Sequence, residues 1–328
     1  MINLDRVSRI DIETINNCNA KCPLCLREPG MRSDDQLDWW GIVDNIPEYV
    51  WTNAKEINFN GTTGDNIMHP DIFNILKDVD ARTKGTITVH TNGSLRSKEW
   101  WGELGELFKN TAHRVVFGID GLEDTHSIYR VNTSFSKIME NAQAFINAGG
   151  RAAWQFILFE HNSHQVEDCK QLADKMGFSK FFMFYQDRFD SSEQIQSQNN
   201  VIKLYKKDLA PFKDYLVIKE TGQDIKEKLE VNDKKISCHS ANVNWFSVYA
   251  DGTVWPCCWL MGWHKANHQK LFPLVNYHFK NILKIDFKDI SLYNKSLEQI
   301  IFSDLWQQQF PDSFNKTPNP VCVQQCSK

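Results

Sequence analysis

The sequence predicts an α/β fold, a partial (β/α)6 barrel followed by a small C-terminal α+β domain. Three observations point there. Six short β-like runs alternate with amphipathic helical patterns up to residue 185, the composition turns polar and charged between 190 and 236, and a hairpin signal opens the remainder. At 328 residues the chain is long enough for two domains.

The first strand candidate is RIDIETI, which places Ile10, Ile12 and Thr14 at period two. EINFN (56–60), TITVHT (86–91), RVVFGID (114–120), AAWQFILF (152–159) and FFMFY (181–185) follow. Between them DIFNILKDVDA, SKEWWGELGELFKN, SFSKIMENAQAFINAGG and HQVEDCKQLADKMGF carry apolar residues at helical spacing, and Gly149 and Gly177 fall where helix C-caps belong. Parallel neighbours need a crossover, so strands alternating with helices imply a parallel sheet. Six such units do not close an eight-stranded TIM barrel, which predicts a curved, open one with its reactive groups at the strand C-termini. DSSEQIQSQNN and the charged KKDLAPFKDYL and KEKLEVNDKK read as a linker with helical pieces. The predicted division is a barrel over 1–189, a linker over 190–236 and a small C-terminal domain over 237–328. In the last, NWFSVYADGTVWPCC is a hairpin turning at Asp251-Gly252, and SLEQIIFSDLWQQQF is a helix before the closing PNPVCVQQCSK.

Hydrophobic content of 41% and charge of 24% describe an ordinary globular chain. A formal charge of −4 and a pI near 6.2 argue against nucleic acid as a partner. No 18-residue apolar run is present, so no membrane span is expected. The stretch MINLDRVSRIDIETI lacks the apolar core of a signal peptide, which predicts a cytoplasmic protein with reduced thiols. Nine cysteines in that setting read as metal or redox chemistry.

Directly after the first strand, CNAKCPLC sets Cys18, Cys22 and Cys25 with three and then two residues between them. Three thiolates can grip three corners of a cubane iron–sulfur cluster and leave one iron open. Structural zinc would want a fourth ligand close by, and LREPGMRSDD supplies none; the nearest histidine is His69. Spacing alone leaves both readings open. A second set follows: Cys238 before the hairpin, Cys257 after it, and Cys322 and Cys326 near the end. Four thiolates would saturate a four-iron cluster, and structural zinc also takes four. Cys258 beside Cys257 is expected to point to the opposite face of a strand, and Cys169, in a helical pattern, to be a buried small hydrophobe.

The three-cysteine stretch resembles the signature of the radical S-adenosylmethionine (SAM) superfamily. Members carry a Gly-Gly-Glu-Pro-like loop after the second strand that holds the amino group of SAM. Here FNGTTGDNIMHPDI occupies that place and sets Thr63-Gly64-Asp65-Asn66 against the loop, with Asp65 keeping the carboxylate at shorter reach. Thr91-Asn92-Gly93 matches the family turn after strand three. GIDGLEDTHSIYR resembles the stretch after strand four, which would set Asp120 and Arg130 near the ribose and carboxylate of SAM; Gly118 stands where many relatives have Ser. The resemblance covers residues 8–186 and implies a [4Fe-4S] cluster on Cys18, Cys22 and Cys25. It further implies SAM contacts at Leu24, Thr63, Gly64, Asp65, Asn92, Asp120, Arg130 and Gln155. Thirteen residues separate Cys238 from Gly252 and four separate Gly252 from Cys257, a spacing that resembles the opening of SPASM and twitch domains and selects Cys257 over Cys258. The chain has fewer cysteines there than a full SPASM domain. The shorter twitch form implies one auxiliary [4Fe-4S] cluster, on Cys238, Cys257, Cys322 and Cys326.

What the resemblance implies is reductive cleavage of SAM to a 5′-deoxyadenosyl radical, followed by oxidation or cross-linking of a small-molecule or peptide substrate by hydrogen abstraction. The auxiliary cluster would accept the electron, and reduced flavodoxin or ferredoxin would donate one. Two other classes compete: a non-enzymatic iron–sulfur protein for electron transfer or redox sensing, and a zinc-stabilised binding module. A pure electron carrier has no need of the Thr62–Asp65 and Asp120–Arg130 stretches at strand ends. Gln155, Tyr185, Asp187 and Arg188 are candidate substrate contacts, and no residue is assigned as catalytic acid or base. His161 and His164 fall at a helix start, where surface or cap roles are the ordinary ones.

Overall fold

Six strands are joined in succession by crossovers, which is what parallel pairing demands. In the computed structural model, which describes residues 2–27, 35–185, 195–197, 200–205, 236–265 and 277–326, these are β1 (Arg9–Ile12), β2 (Glu56–Phe59), β3 (Thr86–Thr91), β4 (Arg114–Gly118), β5 (Arg151–Leu158) and β6 (Lys180–Tyr185). Short helices at Trp39–Ile42 and Glu48–Asn53 separate β1 from β2. Then α1 (Ile72–Arg82), α2 (Lys98–Phe108), α3 (Phe135–Asn147) and α4 (Val166–Met176) alternate with the remaining strands. A small antiparallel pair, β7 (Ile195–Ser197) with β8 (Asn200–Ile202), is described within the expected linker. The C-terminal region holds β9 (Trp245–Val248), β10 (Val254–Trp255) and α5 (Cys258–Lys265).

The helices begin and end on sequence signals. Ser97 accepts from the Trp100 amide and Ser134 from the Lys137 amide, capping α2 and α3. Gly177, at φ +90°, closes α4 in the left-handed conformation that favours glycine.

The chain forms two compact units, one of residues 1–17, 26–87 and 223–328, the other of residues 18–25 and 88–222. In the first, β1 is the centre of its sheet. It pairs in parallel with β2 on one edge (Ile12 opposite Phe59) and with β9 on the other (Ile12 opposite Val248), and β10 lies antiparallel on β9. The hairpin was legible in the sequence, but its parallel pairing with β1 was not. Gly252 sits at its turn at φ +75°, where a Cβ would strike the Tyr293 ring at 2.5 Å.

In the second unit the order is β3-β4-β5-β6, all parallel. One face is a hydrophobic layer: Phe117 meets Trp101, Phe145 and Phe178 at ring-centroid distances of 5.1, 6.3 and 6.1 Å. The buried Trp154 indole donates to the Ile119 carbonyl at 2.8 Å, satisfying its one polar atom. On the opposite face Gly118, Gln155 and Phe182 are neighbours in register.

The expected single helix over 296–310 is broken instead. It runs Leu297–Ile301, resumes as a π-turn at Leu305–Gln309 and continues as Phe310–Lys316. Ser303 Oγ and the Gln307 amide donate to the carbonyls of Ile300 and Ile301, each at 2.7 Å, and so compete for acceptors a continuous helix would use. Pro311, lacking an N–H, sits in the first turn of the last piece. Among the described residues no helix is long and apolar enough to cross a membrane.

The aromatic layer sets a stability prediction. Phe117→Ala should cost about 3–5 kcal/mol, read as a lower urea midpoint at unchanged slope.

Candidate functional site

In the second unit Cys18, Cys22 and Cys25 pack with Ala20, Leu24, Tyr129, Ile157 and Phe159. The segment is held from two loops. The Lys21 amide donates to the Val131 carbonyl at 2.9 Å, and the Asn132 side chain donates to the Asn19 carbonyl at 2.6 Å. From the turn after β3, Asn92 Nδ2 reaches Asn19 Oδ1 at 2.8 Å and lies 3.7 Å from Cys18 Sγ. Burial pushes the Cys22 thiol up to about 11, with Arg130 opposing and Cys25 adding to the rise.

Above the cysteines in sequence order, β4 ends in a buried ion pair. Arg130 Nε donates to Asp120 Oδ2 at 2.6 Å, while Asp120 Oδ1 accepts from the Ile157 amide at 2.6 Å. Burial lowers the Arg130 pKa, but Asp120 and then Cys22 raise it by more, and the guanidinium is charged. His126 lies alongside, its Nδ1 accepting from the Asp120 amide at 3.2 Å. Burial, then Arg130, pushes it down to about 3, so it is neutral at physiological pH. The glycine that replaces serine also has its reason here: a Cβ on Gly118 would lie 2.8 Å from an Arg130 guanidinium nitrogen. The cation fills the space a larger residue would take. Leu24, Asn92, Asp120 and Arg130 are thus gathered in this unit with the three cysteines, and Gln155, half-buried, sits beside Gly118 in register.

In the first unit the loop after β2 is fixed residue by residue. A Cβ on Gly64 would lie 2.0 Å from the Ile15 carbonyl oxygen and 3.0 Å from that of Asn17, so the position admits only glycine. The Asp65 amide donates to the Asn17 carbonyl at 2.8 Å, and Asp65 Oδ1 accepts from the Ile67 amide at 3.1 Å, capping the turn Asn66–Met68. Asn66 Oδ1 accepts from the amide and hydroxyl of Thr14, at 2.7 and 2.8 Å. Two buried residues complete the loop: Glu13 Oε1 accepts from the Thr62 amide at 2.7 Å, and the Tyr249 hydroxyl lies 3.0 Å from Thr63 Oγ1. Burial pushes Glu13 up to about 7. Sequence reading missed both. The signal for Glu13 was present, since Arg9, Asp11 and Glu13 put charges at alternate positions of a strand paired on both edges.

The second cysteine set lies in this same unit. Cys238 precedes the helix His239–Val243, Cys326 ends the helix Pro320–Cys326, and the Ser237 amide donates to the Cys326 carbonyl at 2.9 Å. The Cys257 thiol is pushed well up, by burial first, then by Cys322, Cys238 and Cys326 as like charges. Cys258 is placed differently from the sequence reading: the strand stops at Trp255 before Pro256, so Cys258 opens α5 and the alternation of strand side chains does not govern it. Its thiol is pushed well up by burial and then by Asp11 and Cys257. Among the described residues, no group of three or more His, Cys, Asp or Glu side chains is set to hold a metal ion. Thiols are the donor type that iron–sulfur clusters take, and both sets consist of at least half-buried cysteines.

Tyr185 ends β6, and Asp187 and Arg188 lie outside the described residues. His161 stacks on Phe159 at 5.4 Å and is pushed down to about 4 by burial and then His164, which lies in the turn Ser163–Gln165. Cys169 is fully buried in α4.

Residues 12–173 match the model of the Radical SAM superfamily. Solved structures share the fold. Streptococcus suis SuiB bound to S-adenosylmethionine superposes with a TM-score of 0.62 at 13% identity, over 98% of this chain and 72% of that one. SuiB bound to precursor peptide SuiA gives 0.60 at 13%, over 92% and 66%. For anSMEcpe with bound AdoMet the values are 0.56 and 14%, over 98% and 85%. No curated protein matches the sequence.

Glu13 gives a pH prediction. Its folded pKa of about 7 lies above its usual 4.5, so its contribution is fully present below pH 4.5 and lost as pH rises through 7. The melting temperature of Glu13→Gln should therefore gain on that of the wild type between pH 5 and pH 8, in paired thermal melts.

Proposed function

The chain belongs to the radical SAM superfamily through residues 12–173, and we propose that it is an enzyme that reductively cleaves SAM and oxidises or cross-links a peptide by hydrogen abstraction. The observation that carries this reading is the gathering of Asn92, Asp120 and Arg130 around the Cys18–Cys22–Cys25 segment. A structural zinc site does not call for a buried, charged guanidinium beside its thiols. An enzyme that must orient a carboxylate does.

In this reading Cys18, Cys22 and Cys25 hold a [4Fe-4S] cluster. That cluster, when reduced, supplies the electron that splits SAM, whose adenosyl fragment takes hydrogen from the substrate. Thr63, Gly64 and Asp65 receive the amino group of SAM; the glycine lets backbone approach closely and the carboxylate answers the ammonium. Arg130 takes the carboxylate of SAM and Asp120 its ribose, while Asn92 steadies the cysteine loop and Leu24 and Gln155 line the cofactor. Cys238, Cys257, Cys322 and Cys326 would hold an auxiliary [4Fe-4S] cluster, whose chemistry there would be to take up an electron. The division of labour follows the sequence: residues 1–189 for SAM, 237–328 for the auxiliary cluster. Reduced flavodoxin or ferredoxin is the donor, in a reducing cytoplasm. A peptide substrate is supported by two proteins of the same fold, SuiB bound to precursor peptide SuiA and anSMEcpe bound to the Cp18Cys peptide.

The test is anaerobic reconstitution followed by SAM and dithionite. The expected result is about eight irons per chain and release of 5′-deoxyadenosine. About four irons with cleavage would remove the auxiliary cluster from the reading; full iron without cleavage, with candidate peptides present, would favour the electron carrier. Cys22→Ser should abolish cleavage. The double variant Cys322→Ser, Cys326→Ser should lose about four irons yet still cleave at saturating SAM.

A further inference from the structure

We propose that Tyr249 and Glu13 are positioning residues that fix the Thr62–Asp65 loop and thereby set the affinity for SAM. The inference rests on the reading that this loop receives SAM.

The geometry comes from three parallel strands lying side by side. The loop follows β2, Glu13 follows β1, and Tyr249 follows β9. Ile12 is opposite both Phe59 and Val248, and the Glu13 amide donates to the Val248 carbonyl at 2.9 Å, so the register carries past the strand ends. From the adjacent strand Glu13 takes the Thr62 amide at 2.7 Å. From one strand further, the Tyr249 ring spans the gap and brings its hydroxyl to Thr63 Oγ1 at 3.0 Å. All three of Glu13, Tyr249 and Thr63 are buried, so neither bond competes with bulk water.

The loop has no regular structure of its own between Asn60 and Asp65. One end is pinned by Gly64 and Asp65 against Ile15 and Asn17. The other end, Thr62–Thr63, has Glu13 and Tyr249 as its side-chain anchors. Tyr249 is itself tied to the segment bearing Cys257: Lys265 Nζ, at the end of α5, stands 4.9 Å from its ring and pairs with Asp251. The C-terminal hairpin is thus a brace for the loop after β2, a role separate from holding a cluster.

Removing one buried hydrogen bond should weaken binding about three- to tenfold. The experiment measures SAM dissociation by equilibrium dialysis on reconstituted protein, with iron content and cleavage at saturating SAM recorded alongside. Tyr249→Phe, which keeps the ring, and Thr63→Val should each weaken SAM binding by that factor, and the double variant should be no weaker than either single one. Glu13→Ala should weaken it likewise, while Glu13→Gln, whose side-chain oxygen still accepts from the Thr62 amide, should restore most of the affinity. Iron content and the saturated rate should stay at wild-type values in Tyr249→Phe. Unchanged dissociation constants, additive effects of Thr63→Val and Tyr249→Phe, or weakening that tracks iron loss would each overturn the proposal. A wild-type protein that binds no SAM would instead overturn the reading of the loop on which it rests.

Discussion

Pairing on both edges of β1 is the constraint from which the chemistry of the first unit follows. A strand flanked in parallel by β2 and β9 has every backbone polar group committed, so only its side chains and its C-terminal end remain free to vary. At that end the chain stays extended through Glu13, Thr14 and Ile15, and each residue takes a partner from a neighbouring strand end. Thr14 holds Asn66, Ile15 and Asn17 fence Gly64, and Glu13 holds Thr62.

Buried charge is the second organising feature, and the two units handle it differently. Asp120 and Arg130 pair with each other, the Ile157 amide donates to the carboxylate, and a neutral His126 accepts from the Asp120 amide. Removing one partner from such a pair strands the other, which is why a pair of this kind marks function more securely than stability. In the first unit Asp11 has Arg9 at 2.7 Å, whereas Glu13 accepts from the Thr62 amide and has the Asp11 carboxylate as a like charge. Its carboxyl is therefore poised near neutrality, an acceptor that serves as well protonated on its other oxygen as ionised.

The parts legible in the sequence were those set by local periodicity. The strands β1 to β6 announced themselves through period-two apolar residues, the helices through period 3.6, and Gly177 through its place after a helical run. The cysteine sets stand out in the sequence by their spacing alone. Long-range pairing was not. Nothing near residues 245–248 says that they will lie beside residues 9–12, because parallel partners share no turn between them. Local competition misled the reading elsewhere. Pro256 turned an assumed strand neighbour, Cys258, into a helix start, and Ser303 and Gln307 interrupted a helix that periodicity alone would have continued.

Departures from a family pattern carry information once their neighbours are known. Gly118 in place of serine looks like a lost polar contact in the sequence, yet the missing side chain is what admits the Arg130 guanidinium. Asp65 in place of a glutamate looks like a shortened reach, yet the shorter side chain also caps the turn that follows, through the Ile67 amide. At Asp65 the carboxylate is held by the backbone that follows it, and at Gly118 the space beside the backbone is taken by the cation that pairs with Asp120. A loop that has given up side-chain reach depends more on where its backbone is held. That dependence is what gives Glu13 and Tyr249 leverage from strands that touch no ligand.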